Sequence, residues 1–178
     1  MKIDFKKKFS SFQNGARRME TAMNGTPDRV PVCAQMHEFV MKELGVNAQE
    51  FYTTPKLLPG GTLEIMEKYL NNPEEMFGLK LKVCPGFLEG QDPDVAEIGP
   101  EVYKRYAEKQ GVPLVLGIGA SFMDLSTPEQ VADRVKHYVE VGGKNGRFAL
   151  YFCNLSAQTP PANVRAAIEA VHSHGTYS

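Results

Sequence analysis

With 178 residues, 42% of them hydrophobic and 23% charged, the chain can bury the core of one domain and is too apolar for a disordered segment. A formal net charge of −1 gives no electrostatic reason to bind nucleic acid or an anionic membrane, and no apolar run is long enough to cross a bilayer. The three cysteines, Cys33, Cys84 and Cys153, do not make a disulfide framework, and residues 1–12 lack the apolar centre of a signal peptide, so a reducing cytoplasm is the expected compartment.

In chain order, Lys6, Lys7 and Lys8 form a solvated basic run. Ser10 or Ser11 then opens a helix that carries Phe12, Ala16, Met19 and Met23 on one face and ends near Gly25. Pro27-Asp28 turns the chain into a first strand, Val30–Ala34, and Glu38–Leu44 reads as a helix stopped by Gly45. Thr53 or Thr54 can cap a helix running to Tyr69, but Pro59-Gly60-Gly61 interrupts it. Leu79–Cys84 alternates apolar with basic residues and predicts a strand ended by Pro85-Gly86. Glu97–Gln110 predicts an amphipathic helix with Ile98, Val102 and Tyr106 inward.

Val112–Gly117 is an apolar run suited to a buried parallel strand. Thr127-Pro128-Glu129-Gln130 has the hydroxyl, proline and acid order of a helix start, followed by an inward face of Val131, Val135, Tyr138 and Val139 that ends at Gly142-Gly143. Arg147–Phe152 is the last strand. Thr159 is placed to cap the last helix, Pro160–His174. Strand and helix therefore alternate from residue 79 onward, the pattern of βα units around a parallel sheet. Four strands are legible, too few for a closed eight-stranded barrel, which takes about 250 residues.

Several residue groups carry candidate chemistry. Cys153 stands where the last strand ends, the position at which β/α barrels collect catalytic and ligand side chains. Cys33 and His37 follow the first strand; if the first and last strands are neighbours, these two and Cys153 meet at one mouth with two thiolates and an imidazole, although Cys33 equally suits a small buried strand residue and His37 a helix start. Cys84 reads as an inert core thiol. Glu89, Asp92 and Asp94 can face a pocket, but Asp92-Pro-Asp94 is also good turn and cap chemistry. Gly117-Ile-Gly119-Ala-Ser121 has the look of a phosphate-cradling turn and lacks its third glycine. His172 and His174 sit where imidazolium suits a helix C-terminus.

Two stretches tie these elements to a known family. At one end stand Arg17-Arg18, Ala22 and Asn24-Gly-Thr-Pro-Asp-Arg-Val-Pro-Val32; at the other stand Gly117, Ser126-Thr-Pro-Glu-Gln-Val131, the Gly142-Gly143 pair, Thr159-Pro-Pro-Ala-Asn-Val164 and Tyr177. In this order the chain resembles the uroporphyrinogen decarboxylase superfamily, which includes corrinoid-dependent methyltransferases, over residues 15–58 and 80–178. The resemblance implies a (β/α) TIM-type barrel. Because the family's barrels are about twice as long as this chain, it implies one that lacks its middle: a single domain with an N-terminal part over residues 1–58, a join at 59–79 and βα units over 80–178. The first strand and the last three would then form one contiguous arc with two unpaired edges, which predicts self-association, a homo-oligomer, or marginal stability.

The resemblance also separates the branches. The decarboxylases carry arginines after the first strand that grip porphyrin carboxylates, a task suited to the bidentate guanidinium. Here that segment, Cys33-Ala-Gln-Met-His-Glu-Phe-Val40, has none. The decarboxylases also have a histidine six residues before the threonine of the Thr-Pro pair; this chain has Cys153, which is closer to the zinc-binding cysteine of the methyltransferases. That branch implies a zinc-bound substrate thiolate that accepts a methyl group from cobalamin held by a corrinoid partner protein. Of the zinc ligands only Cys153 is present, since the family's His-x-Cys pair is missing. A uroporphyrinogen decarboxylase-type lyase, needing no cofactor, and a non-catalytic, self-associating fragment are the alternatives.

Overall fold

The computed structural model describes residues 5–70, 88–91 and 99–177, without the side chains of residues 5–12, 37, 58, 59, 63, 70 and 88–91. Its elements run α1 (Phe5–Asn24), β1 (Val32–Ala34), α2 (His37–Leu44), α3 (Ala48–Thr53), a π-helical turn (Leu57–Gly61), α4 (Thr62–Leu70), β2 (Leu88–Gln91), α5 (Pro100–Gln110), β3 (Leu114–Ile118), α6 (Ala120–Leu125), α7 (Pro128–Gly142), β4 (Phe148–Phe152) and α8 (Pro161–His174). The four strands form one parallel sheet in the order β1-β4-β3-β2. Val32, Cys33 and Ala34 align with Leu150, Tyr151 and Phe152, so the first strand lies beside the last, as the contiguous arc requires. Among the described residues the sheet is open, with β1 and β2 at its ends, an α/β arrangement that does not close into a barrel within those residues.

Every residue of β1, β3 and β4 is buried, because both faces of the sheet are covered. On one face Cys33, Val115, Ala149 and Tyr151 pack against Met19, Ala22 and Met23 of α1. The alternate residues, including Leu114, Leu116, Ile118, Phe148, Leu150 and Phe152, join a larger core built with α2, α4, α5, α7 and α8. Burying a leucine or phenylalanine of this kind contributes about 1.5–3 kcal/mol. These layers, and not the short strands alone, hold the sheet together.

The start and end of the chain are stitched together below the sheet. The Val30 amide donates to Gly175 O at 2.7 Å, the Tyr177 amide to Asp28 O at 3.0 Å, and Arg29 bridges Thr176 in antiparallel register. Arg18 grips Asp28 with Nε and Nη2 at 2.7 and 2.9 Å, and the Asp28 carboxyl is held below the usual carboxylate range chiefly by that bond.

Several sequence expectations change. Val102 and Tyr106 are 43% and 54% exposed; α5 instead turns Lys104 and Ala107 inward, because the buried ammonium finds backbone carbonyls there. Ile98, Cys84 and the expected strand at 79–84 lie outside the described residues. The described neighbour of β3 is Leu88–Gln91, whose sequence has no apolar periodicity to announce it. Thr53 and Thr54 do not cap the expected helix: they end α3, which Asn47 and Glu50 open with a capping box, and the helix reaching Tyr69 starts only at Thr62, after the π-helical turn where Pro59-Gly60-Gly61 falls. Thr159 does not cap α8. Pro160 holds the cap position without a side-chain bond, and Thr159 is used elsewhere.

Candidate functional site at the strand ends

The C-terminal ends of β1, β3 and β4 lie side by side, and the backbone continues their pairing past the strands. Gln35 N donates to Phe152 O at 3.0 Å, Cys153 N to Ile118 O at 2.9 Å and Leu155 N to Gln35 O at 2.8 Å. Residues 35 and 153 are thus held opposite each other on the α1 side of the sheet, one layer above Cys33 and Tyr151. The half-buried Cys153 thiol donates to Gln35 Oε1 at a long 3.9 Å. Asn154, next along the chain, has φ 49°, a left-handed conformation that asparagine tolerates better than most residues. It turns the chain sharply away and leaves the thiol at the rim.

The side of this mouth formed by the loops after β3 and β4 is braced by polar groups. Asp124 of α6 accepts from Ser156 Oγ at 2.9 Å and from Thr159 Oγ1 at 2.5 Å, while Thr159 Oγ1 accepts the Ser156 amide at 2.9 Å. Asn163 donates its amide nitrogen to Met123 O and Ser126 O, both at 2.8 Å, and Lys42 donates to Thr159 O at 3.2 Å. Below the mouth, a Cβ added at Gly117 would stand 2.5 Å from the Tyr151 ring, so glycine is what lets that ring lie across β3. Gly117 therefore serves packing, and Gly119 stands at the N-cap of a six-residue helix.

The three residues proposed to meet are placed as follows. Cys153 is at the mouth. Cys33 is on the same face but 1% exposed, packed with Met19, Met23 and Tyr151, which makes it a core thiol in this arrangement. His37 opens α2, two residues past Gln35, and its side chain is outside the described ones. A catalytic zinc takes three protein ligands. Among the described residues no group of three or more His, Cys, Asp or Glu side chains can hold a metal ion, so the described donors do not make such a site by themselves. Asp92 and Asp94, and the side chain of Glu89, also lie outside the described residues.

Sequence reasoning missed Gln35, Asp124 and Ser156. Gln35 had a signal, since it is the first polar residue after an apolar strand. Asp124 had none, because its partners lie 32 and 35 residues away. His172 also differs from expectation: burial, and then the charges of Arg29 and Arg18, hold its imidazole below the ordinary range, and Nε2 is buried without a hydrogen-bond partner among the described residues. No described helix is long and apolar enough to cross a membrane.

Chemically, the arrangement offers one accessible thiol beside a side-chain amide. A glutamine amide can present either its oxygen or its NH2 group. The oxygen accepts from a thiol; a half-turn of the amide would direct N–H groups at a thiolate. Comparison with protein-family models, with curated proteins and with solved structures finds no match to this chain.

Proposed function

We propose that this chain is a shortened β/α-barrel protein of the uroporphyrinogen decarboxylase type, nearer the corrinoid-dependent methyltransferases, acting in a reducing cytoplasm with Cys153 as its metal-ligand position. The observation that carries the reading is the Cys153–Gln35 contact, which joins the ends of the last and first strands at one mouth. Zinc held with Cys153 as one ligand would supply Lewis-acid chemistry, lowering the pKa of a substrate thiol from its ordinary value of about 8.5. Cys153 contributes one donor; the others must come from residues outside those described, His37 among them, or from a corrinoid partner that carries cobalamin. The absence of arginine between Cys33 and Val40 disfavours the rival reading, decarboxylation of a porphyrinogen. The test is zinc content after purification and zinc loading. The wild type should retain close to one equivalent and Cys153→Ala clearly less; equal content in the two proteins removes Cys153 from the metal site.

A second reading, a non-catalytic fragment that associates with itself, is favoured by the open sheet. Among the described residues β1 and β2 stand at the ends of the sheet, the positions at which a sheet adds a strand from another copy. Light scattering on a size-exclusion column should then give a mass that rises with loading concentration. A constant monomer mass over a hundredfold dilution series, on the order of the range used for weak dimers, speaks against it.

A further inference from the structure

At the opposite end of the sheet from Cys153, two cations share a cavity. Lys104 is 9% exposed, and its Nζ donates to Gly142 O at 2.9 Å and Gly146 O at 3.3 Å. The first of these carbonyls ends α7, so the ammonium also offsets the negative end of that helix. An ammonium has three donors. The third faces Glu108 Oε1 at 3.7 Å, too long for a good hydrogen bond.

Arg147, the residue before β4, is pinned by its backbone: its amide donates to Gly25 O at 2.7 Å and its carbonyl accepts from Leu114 N at 2.9 Å. It keeps a left-handed φ of 54°, following Asn145 and Gly146 at 66° and 73°. A non-glycine residue in that region is strained and persists where the surroundings impose it. The backbone is thus fixed, and the side-chain Nε is buried with no hydrogen-bond partner among the described residues. Lys104, Glu108, Asn145 and Arg147 line one cavity of about 350 Å³. The described lining thus holds two cations and one half-exposed carboxylate, and buried charge is costly unless it is paired. Burial, reinforced by the neighbouring Arg147 charge, already holds the Lys104 ammonium below the usual lysine range, against the opposing pull of Glu108.

We infer that this cavity is a binding site for a small oxyanion, with phosphate as the fitting chemistry: the Arg147 guanidinium and the Lys104 ammonium that line it supply the positive charge and donors, and Asn145 borders the site. This inference is independent of the reading of the Cys153 mouth, since the two lie at opposite strand ends and share no residue. Arginine suits planar or branched oxyanions through paired N–H bonds, and lysine acts beside it as a point charge.

Thermal melts of the full chain in sodium phosphate, against sodium chloride at matched ionic strength, test the inference. In the wild type the midpoint should rise saturably with phosphate. In Arg147→Asn, chosen because asparagine tolerates the left-handed backbone, the half-saturating concentration should increase by about tenfold or more, as expected for loss of a charge-assisted contact. Lys104→Met, which keeps the apolar stem, should weaken binding in the same direction. An identical phosphate dependence in the wild type and Arg147→Asn overturns the site. Should the variants fail to fold, titration calorimetry on the wild type decides: saturable heat with phosphate supports the site, and its absence up to millimolar concentration overturns it. Saturable binding of acetate that phosphate displaces would support the same site with a carboxylate as the source of the oxyanion.

Discussion

Asn163 donates its side-chain nitrogen to the carbonyls of Met123 and Ser126, tying the first turn of α8 to the end of α6. The residue is 1% exposed, so no water can replace those bonds. Asn163→Leu keeps the size and leaves two carbonyls unmatched, and should cost about 1–3 kcal/mol, read as a lower urea midpoint with unchanged slope. Asn163 was visible in the sequence only as part of the Thr-Pro-Pro-Ala-Asn string. Its role was not, because the carbonyls it serves are 37 and 40 residues away. The same holds for Thr159, whose place before two prolines predicted a helix cap and whose hydroxyl instead donates to Asp124. Local spacing names polar residues well; it does not say which distant backbone group they will satisfy.

The helix α7 shows the opposite case. Its start is set by Thr127, Pro128 and Gln130, and both halves of the capping box form: the Gln130 amide donates to Thr127 Oγ1 at 3.3 Å and the Thr127 amide to Gln130 Oε1 at 2.9 Å. Its buried face, Val131, Val135, Tyr138 and Val139, is the one that helical spacing predicts. Thr127→Ala should destabilise the protein by about 1 kcal/mol and Thr127→Ser by much less, compared by thermal melts; equal losses would mean that the cap bond contributes nothing. This element was legible because all its information is local. Helix α5 was not, since the partners that draw Lys104 inward lie 38 and 42 residues further on. Apolar spacing alone put Val102 and Tyr106 on the wrong side.

Across the whole molecule, the bond set below the sheet makes stability depend on pH in two separate windows. His172 is held below its ordinary pKa by burial and by Arg29 and Arg18, so the unfolded chain binds its proton first as pH falls below about 6.5. The stability associated with neutral His172 is complete above that pH and is lost as pH drops through the lower folded value. Thermal midpoints should therefore decline as pH falls below about 6.5, and His172→Gln should flatten that decline. An unchanged slope in the variant would show that another group is responsible. Asp28, held down chiefly by its Arg18 bond, acts only in the more acidic window. At this scale the apolar strands, needing cover on both faces, anticipated the parallel sheet, while the pairing of first strand with last was implied only by the resemblance to a barrel family whose last strand neighbours its first. The sequence did not anticipate β2, nor α1 packing on the face opposite the other helices, because neither leaves a periodic trace in the strands it touches.

The contact that unites Gln35 with Cys153 closes a loop of 118 residues. Closing so long a loop is entropically slow, while β3, α7 and β4 lie near one another along the chain and can assemble early. During synthesis α1 and β1 are made well before β4, the described strand that β1 pairs with and α1 packs against. In that interval Met19, Met23, Val30 and Val32, all buried at the end, stand open to water, and it is then that the nascent chain most needs a chaperone.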